Sequence, residues 1–523
     1  MRRPLSMAIH AALIAGILIA PRARSDTFEV TRGDDPAPNG CLAGDCSLRE
    51  ALEASGSTPG ADTIVLGSGL YNVTIGELQV LGEVAIQGAG STTTNLVATG
   101  AFDLLHVMPL GRLTLSGIQM SSSENNVFAE HSEAVLDDVR TPADGGIVLA
   151  DSVTGGSASL RVTNSNLGDA VGCAGLAGTC HISDSTLNEV LVLGDQVELT
   201  LDRVEVAGPP SYYGVTIASN AGGSIRDSTI RNQITPLWVS AQDAPTADVY
   251  VTRTRFIGNF GPMHGDRDSG IYLDDVEFRD NIVDDDHLTY PAALIAENGP
   301  GWRISRALFV GNRGGGGINS NLDGAVVRAL PGANLVMTNV TFENNTFRSD
   351  VVDGFGDAIG VPVTSNVSTL VWLVHATMHR SNSVPANTPG SLLTVRGAAA
   401  NVRVFNSLMA GTCAMVSGGV MFQAEGNVES PGNTCEFASA DNLINVPFSQ
   451  LQLSPLADHG GFTETFEPQD GSALLDNAVP TWCYLTRLID QRRYVRPAQG
   501  LGCDVGAVEA GAIPDTIFSD DFE

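Results

Sequence analysis

The sequence contains no lysine: each of its 28 basic residues is an arginine. Chemistry that requires a lysine amine, such as a Schiff base or a phosphate-loop lysine, is therefore excluded. Basic residues are also few, since 59 acidic residues give the chain a formal net charge of −31. Nucleic acids and anionic membranes both require a basic surface. We therefore expect neither of them as a partner.

Aromatic residues make up only 6% of the 523 residues, whereas glycine occurs 58 times. This composition disfavours a compact helical enzyme and is typical of short strands joined by many turns. The acidity has two interpretations. It either keeps a long exterior surface soluble, or it serves cation binding and selection against acidic ligands.

Long apolar runs are confined to the N-terminus. Residues 1–25 have the features of a secretory signal: the pair Arg2-Arg3, an apolar run over 8–20, and a small-x-small sequence at 23–25. No later run approaches the roughly 18 apolar residues of a transmembrane helix. We therefore expect a protein without a membrane span after signal removal. It would be exported to the cell surface, including the outer membrane, or to the outside.

Eight cysteines in an exported chain predict disulfide bonds. Sequence order offers four local pairs: Cys41 with Cys46, Cys173 with Cys180, Cys413 with Cys435, and Cys483 with Cys503. Other connectivities remain open, because spacing alone does not fix the pairing. A zinc site is disfavoured, since no histidine stands at ligand spacing beside a cysteine pair.

A short pattern recurs along the chain: apolar and polar residues alternate, then a small polar pair precedes a bulky apolar residue. Aligning that last residue gives Ile118, Thr141, Leu167, Leu187, Val206, Ile230, Phe256, Phe278, Phe309, Phe342, Met378 and Met409. The spacings range from 19 to 36 residues. A fixed pattern at variable spacing predicts a solenoid with loops of unequal length. Each copy has too few inward apolar residues for its own core, so burial requires coils to stack in parallel.

Four successive copies carry an asparagine three residues past the phenylalanine, namely Asn259, Asn281, Asn312 and Asn345. Asparagine tolerates left-handed backbone at corners, and stacked amides can form a hydrogen-bonded ladder. The alternative is four unrelated turn residues.

Spacing widens after Phe278, so extra residues must leave the coils as side loops. The largest are 279–301 and 343–371, and such loops on a rigid scaffold commonly form binding surfaces.

The sequence from Ser47 to Glu50 is a capping box and predicts a short helix near the N-terminus. One face of this helix would carry Leu48, Ala51 and Leu52. Arg49 and Glu53 are spaced for a supporting i,i+4 ion pair on another face. We expect the helix to cover the open end of the solenoid.

Two segments resemble known families. Cys46-Ser-Leu-Arg-Glu-Ala-Leu52 matches the motif of the CSLREA domain, which occurs near the start of many secreted bacterial proteins. Four later motifs resemble, in order, the choice-of-anchor Q domain: Ser454–Gly461, Gly471–Asp476, Asp490–Arg492 and Cys503–Glu509. The middle of the chain looks like the right-handed parallel β-helix that usually lies between these domains. The resemblance implies an exported all-β protein with no assigned cofactor or catalytic motif.

These resemblances suggest five regions. They are a signal peptide (1–25), a CSLREA-type cap (26–60), a parallel β-helix (61–442), a choice-of-anchor Q-like capping domain (443–510) and an acidic tail (511–523). The tail has no sortase-type motif, but it resembles the acidic-aromatic endings of some secreted proteobacterial proteins. We interpret it either as a sorting signal or as an ordinary chain end.

The densest cluster of ionisable residues lies between 264 and 287. If neighbouring coils stack, its carboxylates approach one another. They could then act as calcium ligands, for which the candidates are Asp266, Asp268, Asp284 and Asp286. They could also supply an acid and base pair, for which the catalytic candidates are Asp266, Asp268, Asp285 and His287. The alternative is a set of solvated loop carboxylates.

Other catalytic patterns are absent from the sequence. Pectin-hydrolase motifs do not occur in order, and no Gly-x-Ser-x-Gly stands in a strand-to-helix setting. His459 lies within the C-terminal motif and is interpreted as structural. The remaining C-terminal charges, Asp490, Arg492, Asp504 and Glu509, are interpreted as a buried or edge ion-pair set that closes the last coil, and not as catalysts.

Two functional hypotheses follow. The preferred one is a non-catalytic, monomeric β-helix at the cell surface, whose side loops bind a carbohydrate or another surface ligand and which needs no cofactor. The alternative is a polysaccharide lyase or glycoside hydrolase that uses the 264–287 carboxylates, with calcium as its cofactor.

Overall fold

The computed structural model describes residues 25–143, 147–152, 156–208, 213–241, 248–266, 269–283, 290–297, 301–315, 326–347, 358–362, 367–380, 391–484, 488–497 and 502–515. Within this part of the chain, 37 strands form one network of parallel pairings. The protein is a parallel β-helix, as the sequence predicted. The signal region and the last eight residues of the acidic tail lie outside the described residues.

Each coil has three faces, which we call A, B and C in chain order. Alternating burial along a strand directs every second side chain into the core. Ten strands lie entirely within face A: Thr27–Val30, Ala61–Leu66, Glu83–Gln87, Ala158–Thr163, Gly178–Ser183, Val197–Asp202, Gly222–Arg226, Thr369–Val374, Ala400–Phe405 and Met421–Glu425. Longer strands run from face A into face B: Arg112–Ser121, Glu133–Thr141, Asp248–Ile257, Gly270–Arg279, Gly301–Val310 and Asn334–Glu343.

Face B also contains Gly69–Val73, Thr94–Ala98, Glu205–Ala207, Thr229–Arg231, Thr377–His379, Leu408–Ala410 and Val428–Ser430. Two strands, Asn166–Gly175 and Thr186–Gly194, continue from face B into face C. Face C is completed by Leu78–Val80, Leu105–Val107, Asn125–Glu130, Ile147–Ser152, Tyr213–Ala218, Thr235–Ser240, Met263–Asp266, Leu294–Ala296, Val327–Ala329, Ile359–Pro362, Leu393–Arg396 and Cys413–Val416. A separate short pair joins Arg313–Gly314 to Thr346–Phe347.

The repeated apolar residue forms a single file inside face B. From Thr141 to Met409 each aligned residue pairs with the next one in the adjacent coil. One alignment was wrong: Ile118 pairs with Val139, so Thr141 lies two residues further along its strand. The sequence pattern misplaced this copy because Val139 and Thr141 both face inward on the same strand.

Four phenylalanines stack at the centre of this file. Their ring centroids are separated by 4.8 Å between Phe256 and Phe278, 4.8 Å between Phe278 and Phe309, and 4.4 Å between Phe309 and Phe342. All four side chains are buried. These distances match the spacing of neighbouring strands, so the ring stack follows directly from the coil register.

The four asparagines form a continuous hydrogen-bonded ladder at the end of face B. The backbone N–H and side-chain Nδ2 of Asn259 both donate to Oδ1 of Asn281, at 2.9 and 3.0 Å. Asn281 donates in the same way to Asn312, and Asn312 to Asn345. Each Nδ2 also donates to a carbonyl of the preceding coil, as from Asn281 to Phe256 O at 3.0 Å. The ladder therefore satisfies buried backbone groups at a corner.

A second ladder occupies the corner between faces A and B, and the sequence analysis did not anticipate it. One residue per coil there has a left-handed backbone, and over six coils these residues alternate in charge: Asp184, Arg203, Asp227, Arg253, Asp275 and Arg306. The distance from guanidinium nitrogen to carboxylate oxygen is 2.7 Å between Arg203 and Asp184, 2.6 Å between Arg253 and Asp227, and 3.0 Å between Arg306 and Asp275. The planar guanidinium matches a carboxylate with two hydrogen bonds, as Arg203 shows with Asp184.

The N-terminal helix spans Leu48–Gly56 and has the predicted capping box, with reciprocal bonds between Ser47 and Glu50. Its three apolar residues belong to the main core. The predicted ion pair was wrong: Arg49 binds Asp35, with Nε 2.7 Å from Oδ1, and not the exposed Glu53. The Asp35 carboxylate is nearly buried, so a cation there compensates its desolvation.

All four predicted cysteine pairs are disulfide-bonded. No helix among the described residues is long and apolar enough to span a membrane. Two short helical turns, Phe448–Gln450 and Pro480–Cys483, lie in the C-terminal region.

Residues 443–515, which we call the C-terminal segment, pack along the outside of face B. Arg255 lies 4.4 Å above the Phe462 ring, and Gln491 accepts from Thr341 at 2.6 Å. Near the C-terminal coils, a second apolar cluster joins face B to this segment; it includes Leu408, Ala410, Val428, Leu451, Leu474 and Val505. The segment therefore contacts coils from Arg255 to Val428 and covers one side of the rod.

The charged residues of the C-terminal motifs are buried in this segment. Arg492 pairs with Asp490 at 2.7 Å, and Arg496, which sequence reasoning missed, pairs with Glu509 at 3.0 Å. The ion-pair interpretation is correct for Asp490, Arg492 and Glu509, whereas the Asp504 carboxylate accepts from the backbone N–H groups of Asp476 and Ala510. The set does not close the last coil. It lies beside earlier coils, where Arg496 donates to Asn339 at 3.1 Å.

The asparagine ladder generates a stability prediction. Asn281→Ala removes the acceptor of two Asn259 donors and a donor to the Phe256 carbonyl, and each buried group left unpaired costs about 1–3 kcal/mol. We expect denaturant unfolding to show that the variant loses at least this much of the free energy of unfolding. The exposed Asn477, whose side chain donates to Ala473 O, is the matched control, and Asn477→Ala should cost less than about 0.5 kcal/mol. Equal losses in both variants would contradict a structural ladder.

The buried Glu509 generates a pH prediction. Burial raises the pKa of Glu509 from its ordinary value to about 7, although Arg496 opposes the shift. Between the pKa of the unfolded chain and about 7, the folded state therefore retains a proton on Glu509 that the unfolded chain releases. The free energy of unfolding then falls as pH rises towards 7. Glu509→Gln should remove this pH dependence. The slope of the free energy of unfolding against pH should then differ between the variant and the parent protein by up to about 1.4 kcal/mol per pH unit. Urea unfolding between pH 5 and 7.5 tests this.

The exposed Glu53 provides the control, because Glu53→Gln should leave the slope of stability against pH unchanged. Parallel curves for Glu509→Gln and the parent protein would refute the assignment.

Candidate functional site

The outer surface of face A carries a straight row of side chains that share one register. Because residues alternate in and out, Tyr250 points outward between the buried Val249 and Val251. Strand pairing then aligns one residue from each following coil. We call this set the outer row: Tyr250, Tyr272, Arg303, Val336, Trp372 and Arg403.

The aromatic residues of the outer row are only partly covered. Tyr250 and Tyr272 stack with centroids 4.8 Å apart, and Tyr250 is 49% exposed. Further along, the Arg403 guanidinium lies 5.1 Å from the Trp372 ring and 4.8 Å from the ring of Phe422, which is exposed. Such rigid amphipathic rings provide contact area at a low cost in side-chain entropy.

The phenol of Tyr250 remains a hydrogen-bond donor over a wide pH range. Partial burial, with help from the neighbouring Asp248 carboxylate and Tyr272, raises its pKa. Beside Tyr272 the adjacent position is glycine in two successive coils, Gly270 and Gly301. A Cβ at Gly270 would lie 2.1 Å from the Asp248 carboxylate, so a side chain there would require that carboxylate to move.

The arginines of the outer row differ from those elsewhere on the exterior. In the described part of the chain, no carboxylate lies within ion-pair distance of Arg303 or Arg403. The same holds for Arg161, which stands at the same strand position in an earlier coil. Arg112, on the same face but outside the row, pairs with Glu133 at 3.0 Å. In a chain with net charge −31, guanidinium groups that pair with no carboxylate are available to an external acceptor, although Arg403 Nε also donates to Asn401 Oδ1 at 3.0 Å.

Face C carries a smaller polar set near the predicted carboxylate cluster. Trp238 stacks on Tyr213 with centroids 4.9 Å apart, and in the next coil His264 Nε2 lies 3.1 Å from Glu297 Oε1. A hydrogen bond from His264 lowers the pKa of Glu297. This histidine and carboxylate are partly exposed on one surface.

Most of the predicted carboxylate cluster lies outside the described residues. Asp266 is the last residue of the face C strand Met263–Asp266, two residues after His264. The remaining candidates fall outside: Asp268, Asp284, Asp285, Asp286 and His287. The nearby Asp274 and Asp275 bind Arg306 and Arg493 at the corner ladder. They are therefore structural carboxylates.

His459 has a structural position too, since its Nδ1 lies 2.9 Å from Thr465 O. The outer row was missed because its residues are separated by 22 to 36 positions in sequence. A signal did exist: each row residue stands at the same place in its strand, midway along the alternating pattern.

Comparison with known proteins gives similarity at the level of architecture. No family model and no curated protein matches the chain. Among solved structures, tailspike protein 3 of bacteriophage CBA120 is 11% identical with a TM-score of 0.36, and the match covers 74% of this chain and 59% of the tailspike. Alginate lyase AlyF-OU02, solved in complex with G6, is 10% identical with a TM-score of 0.36, covering 81% and 89% of the two chains.

A third similar structure is the A-module of mannuronan C-5 epimerase AlgE6 from Azotobacter vinelandii. It is 11% identical with a TM-score of 0.28, and the match covers 73% of this chain and 93% of the module. At these identities the similarities concern the parallel β-helix alone.

Proposed function

We propose that this protein is an exported, non-catalytic β-helix that binds a carbohydrate chain along the outer row. The observation that carries the proposal is the outer row itself. The row combines partly exposed aromatic rings with guanidinium groups that pair with no carboxylate in the described part of the chain, all on one rigid face. Sugars present apolar ring faces and many hydroxyl groups, so aromatic residues and arginines together match their chemistry.

The spacing of the row supports an elongated ligand. Successive coils rise by about 4.8 Å, which is similar to the length of one sugar ring. A polysaccharide lying parallel to the rod would therefore meet one row residue with each sugar unit or so. The ranges predicted as side loops, 279–301 and 343–371, contain the face C strands Leu294–Ala296 and Ile359–Pro362, so the prediction was wrong for these parts, which belong to the coils.

As part of this proposal, we infer from the sequence resemblances that the protein is a secreted bacterial protein with CSLREA and choice-of-anchor Q domains. The four disulfide bonds support export to an oxidising environment. Attachment at the cell surface would hold the outer row away from the cell on a rigid support.

A second candidate function is cleavage of a polysaccharide at face C. The close approach of His264 to Glu297 favours it, since a histidine and a carboxylate can act as acid and base. In this proposal the 264–287 carboxylates and calcium belong to the catalytic site. Release of shorter products from a panel of polymers would support this candidate, and loss of that release in His264→Ala would assign it to face C.

The binding proposal predicts the effect of removing one guanidinium. Arg303→Ala should weaken binding of a glycan selected on an array by about tenfold or more, because a charge-assisted hydrogen bond contributes about 1.5–3 kcal/mol. Isothermal titration with the selected glycan measures the dissociation constant. Arg112→Ala removes the same charge from the same face outside the row, and should leave affinity within about twofold.

Three outcomes would overturn the proposal. The parent protein binds no glycan on the array, the two arginine variants bind equally well, or the ligand captured from cell surfaces proves to be a protein. Trp372→Ala should act in the same direction as Arg303→Ala, because it removes the aromatic surface beside Arg403.

A further inference from the structure

A buried histidine and a disulfide meet where the C-terminal segment contacts the solenoid. His375 belongs to the corner between faces A and B, whereas Cys483 and Cys503 belong to the C-terminal segment. One ligand atom from each of the three residues lies within 4.8 Å of the other two. All three side chains are almost completely buried, with at most 4% exposed.

Hydrogen bonding fixes the orientation and the tautomer of this histidine. His375 Nδ1 lies 3.2 Å from Gly506 O, an atom that only accepts, so Nδ1 carries the proton. The Nε2 lone pair accepts from Asn406 Nδ2 at 3.2 Å, and Cys503 Sγ lies 3.8 Å from the same nitrogen. A metal ion at Nε2 would therefore replace this hydrogen bond, and Asn406 Nδ2 would keep its bond to Val479 O at 3.0 Å. Histidines that bind metals typically donate their other N–H to a backbone carbonyl in this way.

The distances suit a single metal ion. Two ligands on a tetrahedral zinc, at about 2.0 Å for nitrogen and about 2.3 Å for sulfur, are separated by about 3.6 Å. The present distance from Nε2 to Cys503 Sγ is 3.8 Å. Opening the disulfide would let the two sulfurs separate to a similar distance.

We propose that His375, Cys483 and Cys503 form a binding site for a thiophilic ion of the Zn²⁺ type when the Cys483–Cys503 disulfide is reduced. An external dithiol supplies two electrons and two protons and is itself oxidised to a disulfide, which leaves two cysteine thiols. Metal binding then releases both thiol protons, and a water molecule takes the fourth position. Oxidation expels the metal and restores the disulfide, so the two states exclude each other.

The two states connect the protein differently. The disulfide joins two positions within the C-terminal segment. The metal would join both of those positions to His375, and therefore to the solenoid. Metal binding in the reduced protein would thus fasten the segment to face B at the coil that contains Thr377, which already bonds to Ala507 N at 2.9 Å.

The test uses the mature chain, residues 26–523, reduced with a phosphine and titrated with Zn²⁺ and Co²⁺. We expect one zinc site that is lost in His375→Asn and in the double variant Cys483→Ser/Cys503→Ser. The double variant Cys173→Ser/Cys180→Ser should keep the site, because its disulfide is not part of the His375 cluster. Zinc should raise the melting temperature of the reduced parent protein and not that of the oxidised protein.

The parent protein alone provides a measurement that does not depend on folding of the variants. X-ray absorption of the zinc-loaded, reduced chain should give two sulfur neighbours at about 2.3 Å and a nitrogen neighbour at about 2.0 Å. A shell of four sulfurs, an absence of zinc binding after reduction, or equal binding by His375→Asn would overturn the proposal.

Discussion

The structure depends on coils lying in register over one another. Each coil offers only a few inward apolar residues, and a fragment of that size cannot offset the entropy of ordering its backbone. Stacking joins these fragments into one core that extends from the N-terminal helix to the last coils. The phenylalanine file shows the result, since a residue that alone would bury one side of a ring is enclosed by rings on both sides.

The same register creates the exterior of the rod. When inward residues align, the outward residues between them align as well, so a feature repeated at one strand position becomes a continuous row. Face A uses this to present aromatic rings and guanidinium groups, and the corner beside it uses it to pair charges. Face B has a different exterior, because the C-terminal segment covers it with apolar contacts and buried ion pairs.

Much of the fold could be predicted from the sequence because its determinants are local. The alternating pattern gave the strands, the shared Phe-to-Asn offset placed Asn259 and Asn281 at one corner, and the capping box gave the helix after Ser47. Long-range contacts could not be obtained in the same way. By sequence, Arg49 is spaced to pair with Glu53 four residues later, but in the folded chain its partner is the buried Asp35, 14 residues earlier.

The candidate site was less accessible to sequence reasoning for the same reason. Tyr250 and Trp372 are more than a hundred residues apart, and neither is unusual in its own segment. His375 stands far from both Cys483 and Cys503 in sequence, so spacing rules for zinc ligands could not find the group. The predicted carboxylate cluster was conspicuous because it is contiguous in sequence, whereas the outer row becomes contiguous only in the solenoid.

The alternation of Asp184, Arg203, Asp227, Arg253, Asp275 and Arg306 has a consequence for the growth of such a rod. Loss or duplication of a single coil here would bring two carboxylates or two guanidinium groups together, and like charges in adjacent strands destabilise their pairing. Loss or duplication of two coils would keep every opposite-charge neighbour. This stretch of the solenoid should therefore tolerate the gain or loss of an even number of coils, because only an even change keeps opposite charges adjacent along the corner.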